Sequence, residues 1–324
     1  MISRTPAGRA YISGTDQAYI GRMLTMIASV RRFEPEASFH ILCFDAATEA
    51  VFRRFNVPGV TAVGLSAILA FDPRLAASRA DRTAHGFYDT TRGVLALYVM
   101  DQWPTVESVT WLDADLWFFS HPQAIFDEIG EAAIAISPHH YSPDMADKGA
   151  TYGVFNSGLL HWKNNDQARR CINDYVVECL DWCDSTPNAA GAWLGQVYLN
   201  TWPDRYESLH QMRSPGVNLA YWNIANHRIT SRDGAVWVDD TPLVFFHYSG
   251  VFEDVGCIWR TKNYRPGQDE RATMSLLFLP YIATLDLHEI RLKRVCTGLR
   301  TATPPAKAGK QTPLMVSRPW LAPA

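Results

Sequence analysis

Short apolar runs alternate along the chain with stretches of helical period, and this alternation constrains the fold more than any other feature. Residues 10–13 (AYIS), 39–45 (FHILCFD), 60–65 (VTAVGL), 132–137 (AAIAIS), 153–162 (GVFNSGLLHW) and 242–250 (PLVFFHYSG) read as strands. A further strand lies in 108–119 (SVTWLDADLWFF) and ends near Asp113. Between them, 19–32, 46–56, 91–103 and 166–183 read as helices, with a shorter one at 193–201. The first presents Tyr19, Met23, Met26, Ile27 and Val30 on one face. Pro104 stops the helix at 91–103, because it can neither donate to a helix nor follow a helical residue without a clash. Charged, irregular 71–88 predicts a loop or short helices beside a site. The pattern predicts an α/β fold. No internal repeat is present. After Cys296 the chain turns rich in Pro, Ala and Thr, which predicts one domain over 1–295 and a flexible, disordered tail over 296–324.

Composition removes several alternatives. A hydrophobic share of 47% and a charged share of 19% support a sizeable core. A net charge of −3 argues against nucleic-acid binding, which needs a basic surface. Six Cys include no CxxC pair, so they read as the ordinary thiols of a cytoplasmic protein. The first residues carry no signal-peptide pattern, and no run of 18 apolar residues exists to span a membrane. Arg291, Lys293, Arg294 and Arg300, followed by Trp320, allow at most peripheral contact with the inner membrane face.

Asp113-Ala114-Asp115 carries the first chemistry. The triplet alone is weak, but it follows the strand formers Val109-Thr110-Trp111-Leu112. It therefore falls at the carboxyl end of a buried strand, where open α/β sheets bind ligands. Two carboxylates there are unfavourable unless a cation balances them, and a divalent cation does so while keeping positions open for phosphate oxygens. His247 emerges from the apolar strand in FFHYSG. An imidazole beside two carboxylates suits Mn²⁺ better than Mg²⁺. His139 and His140 follow another strand and are candidates for lining a sugar or acceptor pocket.

An Asp-x-Asp after a mid-chain strand, FNSG about 40 residues later and a late HYSG together resemble the family-8 type of retaining glycosyltransferase, over roughly residues 10–250. That family uses nucleotide sugars and has the GT-A fold, so the resemblance implies a doubly wound, mixed but mainly parallel sheet flanked by helices. The resemblance implies Asp113, Asp115 and His247 as metal ligands. It implies Thr15 and Asp16, in YISGTDQAY, at the base and ribose, with Asp16 also able to cap the next helix. Arg92, in YDTTRGVLALY, would face the diphosphate. Asn156 would hold donor sugar hydroxyls, and Gly158 would let the backbone come close. Gln196 matches the second residue of the family's Asp-Gln pair, but Gly195 stands where the Asp is usual. The usual Lys after HYSG is absent; Lys262 or Arg260 would reach the diphosphate instead. NLAYWN (218–223) with FFHYSG is similar to bacterial relatives that have diverged from the core family.

The resemblance thus implies a metal-dependent hexosyltransferase that moves a sugar from a nucleotide-diphosphate donor, most simply a UDP-sugar, to a glycan or lipid-linked acceptor with retention. Asp113, Asp115 and Gln196 would be its catalytic residues. Gly195 also fits an alternative: a non-catalytic nucleotide-sugar or glycan-binding protein with the same fold. A nucleotidyltransferase would need a Gly-rich phosphate loop with Lys, and a phosphoesterase a His-rich metal cluster; the sequence has neither pattern.

Overall fold

The computed structural model describes residues 8–188, 193–254, 258–261, 264–296 and 314–317. The first half alternates as β1 (Arg9–Thr15), α1 (Ile20–Arg31), β2 (Phe39–Cys43), α2 (Ala46–Phe55), β3 (Val60–Gly64), α3 (Leu65–Phe71), α4 (Leu75–Asp81) and α5 (Ala84–Gln102). Next come β4 (Ser108–Leu112), β5 (Leu116–Phe118), α6 (Gln123–Ile129), β6 (Ile134–Pro138), α7 (Lys148–Tyr152), β7 (Phe155–Lys163), α8 (Asp166–Asp181), α9 (Trp202–Arg205) and β8 (Leu209–Gln211). The remainder holds β9 (Leu219–Ala220), β10 (Ile229–Arg232), β11 (Ala235–Val238), β12 (Thr241–Pro242), β13 (Phe245–His247), β14 (Val251–Asp254) and β15 (Ile258–Thr261). Finally, α10 (Glu270–Ala272) passes through a π-helical turn, Thr273–Phe278, into α11 (Leu279–Val295), and β16 is Leu314–Ser317.

The main sheet has seven strands in the order β3-β2-β1-β4-β7-β6-β8. Neighbours β3, β2, β1 and β4 run parallel, as do β6 and β8, while β7 is antiparallel to both β4 and β6. This is the mixed, mainly parallel sheet that the sequence predicts. Every residue of β2 and β4 is buried, as expected of strands covered on both faces. On β1, Ala10 and Ile12 join the core under α5 and α8, whereas Tyr11 joins the core under α1 and α2. Capping fixes the helix starts: Asp45 Oδ1 accepts from the Thr48 amide at 2.8 Å, Thr83 Oγ1 from the Gly86 amide at 3.2 Å, and Asn165 Oδ1 from the Ala168 amide at 3.0 Å.

Four differences from the sequence expectation matter. Residues 71–88 are mostly helical, and α5 begins at Ala84 rather than 91, because Thr83 caps it. The stretch 108–119 splits into β4 and β5 around Asp113–Asp115, and β5 belongs to a second sheet, β5-β13-β9. The stretch 242–250 also splits, its two short strands lying in different sheets. Residues 314–317, within the expected tail, pair antiparallel with β15. Cys43, Cys171, Cys179 and Cys183 are buried free thiols, whereas Cys257 lies outside the described residues. Among the described residues, no helix is long and apolar enough to cross a membrane.

Burial pushes His40 and His139 down to about 4 and His161 down to about 3, so all three fold neutral. Their contribution to stability is complete above the unfolded value of 6.5 and is lost as the pH falls towards the folded values. The melting temperature should therefore fall steeply between pH 6.5 and 4. His40, whose Nδ1 finds no hydrogen-bond partner among the described residues, is the cleanest probe. His40→Leu should flatten the slope of stability against pH by up to about 1.4 kcal/mol per pH unit in urea titrations.

Candidate metal and donor site

The carboxyl end of β4 opens on a cavity of about 650 Å³. Its lining includes Thr15, Asp16, Asp89, Arg92, Asp113, Asp115, Asn156, Gln196 and His247. Lys262 lies outside the described residues, as do Arg300 and Trp320. Arg260 is on β15 and is not part of the lining; the lining Arg from this region is Arg265, ion-paired with Asp144. His139 lines the cavity, whereas His140 points Nε2 at the Met212 carbonyl, 3.4 Å away.

Two sheets bring the acidic pair and the histidine together. The Asp113 amide donates to the Gly158 carbonyl at 2.9 Å, continuing the β4–β7 ladder past its last pair, Leu112 with Leu159. The Tyr248 amide donates to the Asp115 carbonyl at 2.8 Å, extending the β5–β13 pairing in which His247 faces Leu116. As a result, ligand atoms of Asp113, Asp115 and His247 all lie within 4.8 Å of one another. His247 Nε2 stands 3.1 Å from Asp115 Oδ1 and 3.8 Å from Asp113 Oδ2. Trp111 Nε1 donates to Asp113 Oδ1 at 2.7 Å and Arg92 Nη2 does so at 3.3 Å, which leaves Oδ2 turned towards the imidazole.

The electrostatics call for positive charge. Burial raises Asp113 above the ordinary carboxylate range, although Arg92 and His247 oppose it. Burial also pushes against ionised Asp115, but His247 outweighs it and the net direction is down. Burial pulls His247 down, but Asp115 outweighs this and the net direction is up. Burial also acts against charge on Arg92, yet Asp89 and Asp113 together hold it firmly protonated. Arg92 Nη2 meets Asp89 Oδ1 at 2.9 Å, and Nη1 donates to Ser157 Oγ.

A bulge forms the opposite wall. Pairing of β6 with β7 jumps from Ile136–Leu160 to Ser137–Asn156, so residues 157–159 are unpaired with β6, and Asn156 and Ser157 line the cavity. Asn156 Oδ1 accepts from the Gly158 amide at 3.0 Å, and Nδ2 faces His139 Nε2 at 3.4 Å. One Nδ2 hydrogen remains for a ligand. His139 stacks on Tyr141 with centroids 4.5 Å apart, and Trp222 meets both His139 and His247 edge-on at 5.1 Å. The NLAYWN segment fastens this wall through Asn223 Nδ2, which donates to the His139 carbonyl at 3.0 Å. Gln196 Nε2 is occupied by the Tyr152 carbonyl at 2.7 Å. At the other end, Asp16 Oδ1 caps Gln17–Tyr19 and its Oδ2 accepts from Tyr88 Oη at 3.2 Å, while Tyr88 stacks on Phe44 at 3.7 Å.

Gly158 cannot change. A Cβ there would stand 2.7 Å from His247 Cε1 and 2.8 Å from Asn156 Oδ1. Gly158→Ala should therefore displace the imidazole and weaken Mn²⁺ binding by roughly 10- to 100-fold in a metal titration. Sequence reasoning missed Asp89, Ser157 and the bulge. The i, i+3 spacing of Asp89 and Arg92 was a usable signal, but it also describes an ordinary surface helix pair.

Comparison with known proteins fits this architecture. No protein-family model matches the chain. It is 28% identical over 293 residues to the uncharacterized protein YfnD of Bacillus subtilis (strain 168), covering 89% of this chain and 90% of that one. It is 24% identical over 248 residues to YfnF of the same organism, covering 74% and 81%. Among solved structures it is similar to the galactosyltransferase LgtC in complex with donor and acceptor sugar analogs, with a TM-score of 0.53 and 16% identity over 85% of this chain and 95% of that one. The fold is thus of the GT-A type.

Proposed function

We propose that the protein transfers a sugar from a nucleotide-diphosphate donor to a hydroxyl-bearing glycan or lipid-linked acceptor, with a divalent cation held by Asp113, Asp115 and His247. The observation that carries this reading is the cluster itself: two carboxylates and an imidazole with ligand atoms within 4.8 Å, opening on a cavity of about 650 Å³. The donor set fits a cation, since two carboxylates and an imidazole converge at the carboxyl end of a buried strand, where the acidic pair is unfavourable without balancing charge. Mixed oxygen and nitrogen ligands favour Mn²⁺ over Mg²⁺. When bound, such an ion offsets the negative charge that grows on a departing diphosphate.

The chain's own groups have distinct parts in this reading. Arg92 and Trp111 fix Asp113 through Oδ1 and leave Oδ2 for the cation. Thr15, Asp16 and the Phe44–Tyr88 stack form the end of the cavity that takes the base and ribose; the resemblance to family-8 enzymes favours uridine. Asn156, pinned by Gly158 and His139, offers its remaining N–H to the sugar. Gln196, tied to Tyr152, closes the far wall. Of the lining carboxylates, Asp16 caps a helix, Asp89 pairs with Arg92, and Asp113 and Asp115 face His247. Each thus has a partner within the chain, and the family-8 resemblance favours a retaining transfer. LgtC, a galactosyltransferase of the same fold, gives the sugar class its precedent.

The test is donor turnover. Purified protein with Mn²⁺ should release nucleoside diphosphate from at least one of the common UDP-, GDP-, ADP- or dTDP-sugars, by slow hydrolysis without acceptor or faster transfer with one. Silence across the whole set, with and without Mn²⁺, would overturn the reading.

A further inference from the structure

The cavity wall holds one buried carboxylate to which the proposed chemistry gives no task. Asp89, on α5, is 5% exposed and lines the cavity. Its Oδ1 pairs with Arg92 Nη2 at 2.9 Å, and the same nitrogen reaches Asp113 Oδ1 at 3.3 Å. One guanidinium thus separates Asp89 from the metal cluster. Among the described residues, no side chain donates to Asp89 Oδ2. A carboxylate oxygen at a cavity wall, without a side-chain donor, takes its hydrogen bonds from what fills the cavity.

What can supply them is limited. A second cation is not favoured: among the described residues, Asp113, Asp115 and His247 form the only cluster that could hold a metal, and Asp89 is outside it. An anion would be repelled. A neutral polyhydroxy ring, with several O–H donors and no charge, suits the position. The cavity of about 650 Å³ that Asp89 lines has room for such a ring. We propose that Asp89 accepts hydrogen bonds from hydroxyls of the donor sugar and so helps to decide which sugar the site takes. This rests on the donor-site reading above, and it makes Asp89, rather than position 195, the source of the sugar-facing carboxylate.

The experiment is calorimetric binding in Mn²⁺ of a nucleoside diphosphate and of the matching nucleotide sugar, to the native protein and to Asp89→Asn. The variant keeps size and shape and one acceptor oxygen beside Arg92. It should bind the nucleoside diphosphate within about threefold of the native protein, yet bind the nucleotide sugar about 10- to 100-fold more weakly, the range for a hydrogen bond to a charged group. Equal losses for both ligands would mean that Asp89 acts only by holding Arg92, and no loss for either would mean that it touches no sugar; both overturn the proposal. Native protein that binds neither ligand sinks the donor-site reading instead, so the two failures are distinguishable. If Asp89→Asn does not fold, donors with single hydroxyls replaced by fluorine test the native protein. At least one should bind about tenfold more weakly, because fluorine cannot donate, and uniform binding within threefold would overturn the proposal.

Discussion

Asp115→Ala is expected to lower metal-dependent turnover of a nucleotide sugar by about a thousandfold or more, the scale for losing a principal electrostatic element of a transition state. In the proposed site Asp115 gives one of three ligand atoms, and it is also the nearest partner of His247, at 3.1 Å. Its removal therefore takes a ligand away and also ends the pairing that holds His247 up. Mn²⁺ affinity should fall with activity. Asp240→Ala serves as the control, since Asp240 is an exposed carboxylate paired with Arg232 at 3.0 Å. Steady-state release of nucleoside diphosphate, with a parallel Mn²⁺ titration, checks both. A variant that retains more than about a tenth of native turnover would remove Asp115 from the metal set.

The second large effect concerns Gly195. The family pattern suggests that putting the usual carboxylate back, as Gly195→Asp, should improve the enzyme. The structure predicts the opposite. A Cβ at 195 would stand 2.4 Å from Tyr175 Oη and 3.2 Å from Cys179 Sγ, both on buried side chains of α8. The substitution overpacks this layer and drives a carboxylate against a phenol in the core. A loss of about 3 kcal/mol or more is expected, from overpacking together with a poorly solvated charge. Denaturant unfolding measures it, and activity should fall rather than rise. A stable, more active Gly195→Asp would show that the wall behind this position yields, and that the carboxylate belongs there.

These two residues also show what the sequence discloses. Asp113 and Asp115 were legible because Val109-Thr110-Trp111-Leu112 is an unmistakable buried strand, and an acidic pair at its carboxyl end has few structural uses. His247 was legible only in combination, through its apolar strand and the ordered motifs. The reason for Gly195 was not legible, because Tyr175 fills that space from a helix some 20 residues earlier in the chain. Asp89 was hidden by period: an acidic residue one turn before an Arg looks like a solvated helix face until the helix is seen to border the cavity. The β7 bulge was hidden too, since FNSG reads as strand and nothing local marks three residues as unpaired with β6. Long-range packing decided all three. The α/β character followed the alternation of apolar runs and helices, whereas the strand order was not legible and the small sheet β5-β13-β9 came from short strands that sequence pattern merges with their neighbours.

A metal-assisted nucleotide-diphosphate site on Asp113, Asp115 and His247 would show in the melting temperature with UDP, GDP, ADP or dTDP, each with and without Mn²⁺. One nucleotide, in Mn²⁺ only, should raise it by about 5 °C at roughly a hundredfold excess over its Kd, as mass action requires of a ligand bound by the native state. If no nucleotide shifts it in either condition, the acidic pair is structural and the non-catalytic reading of the fold takes its place.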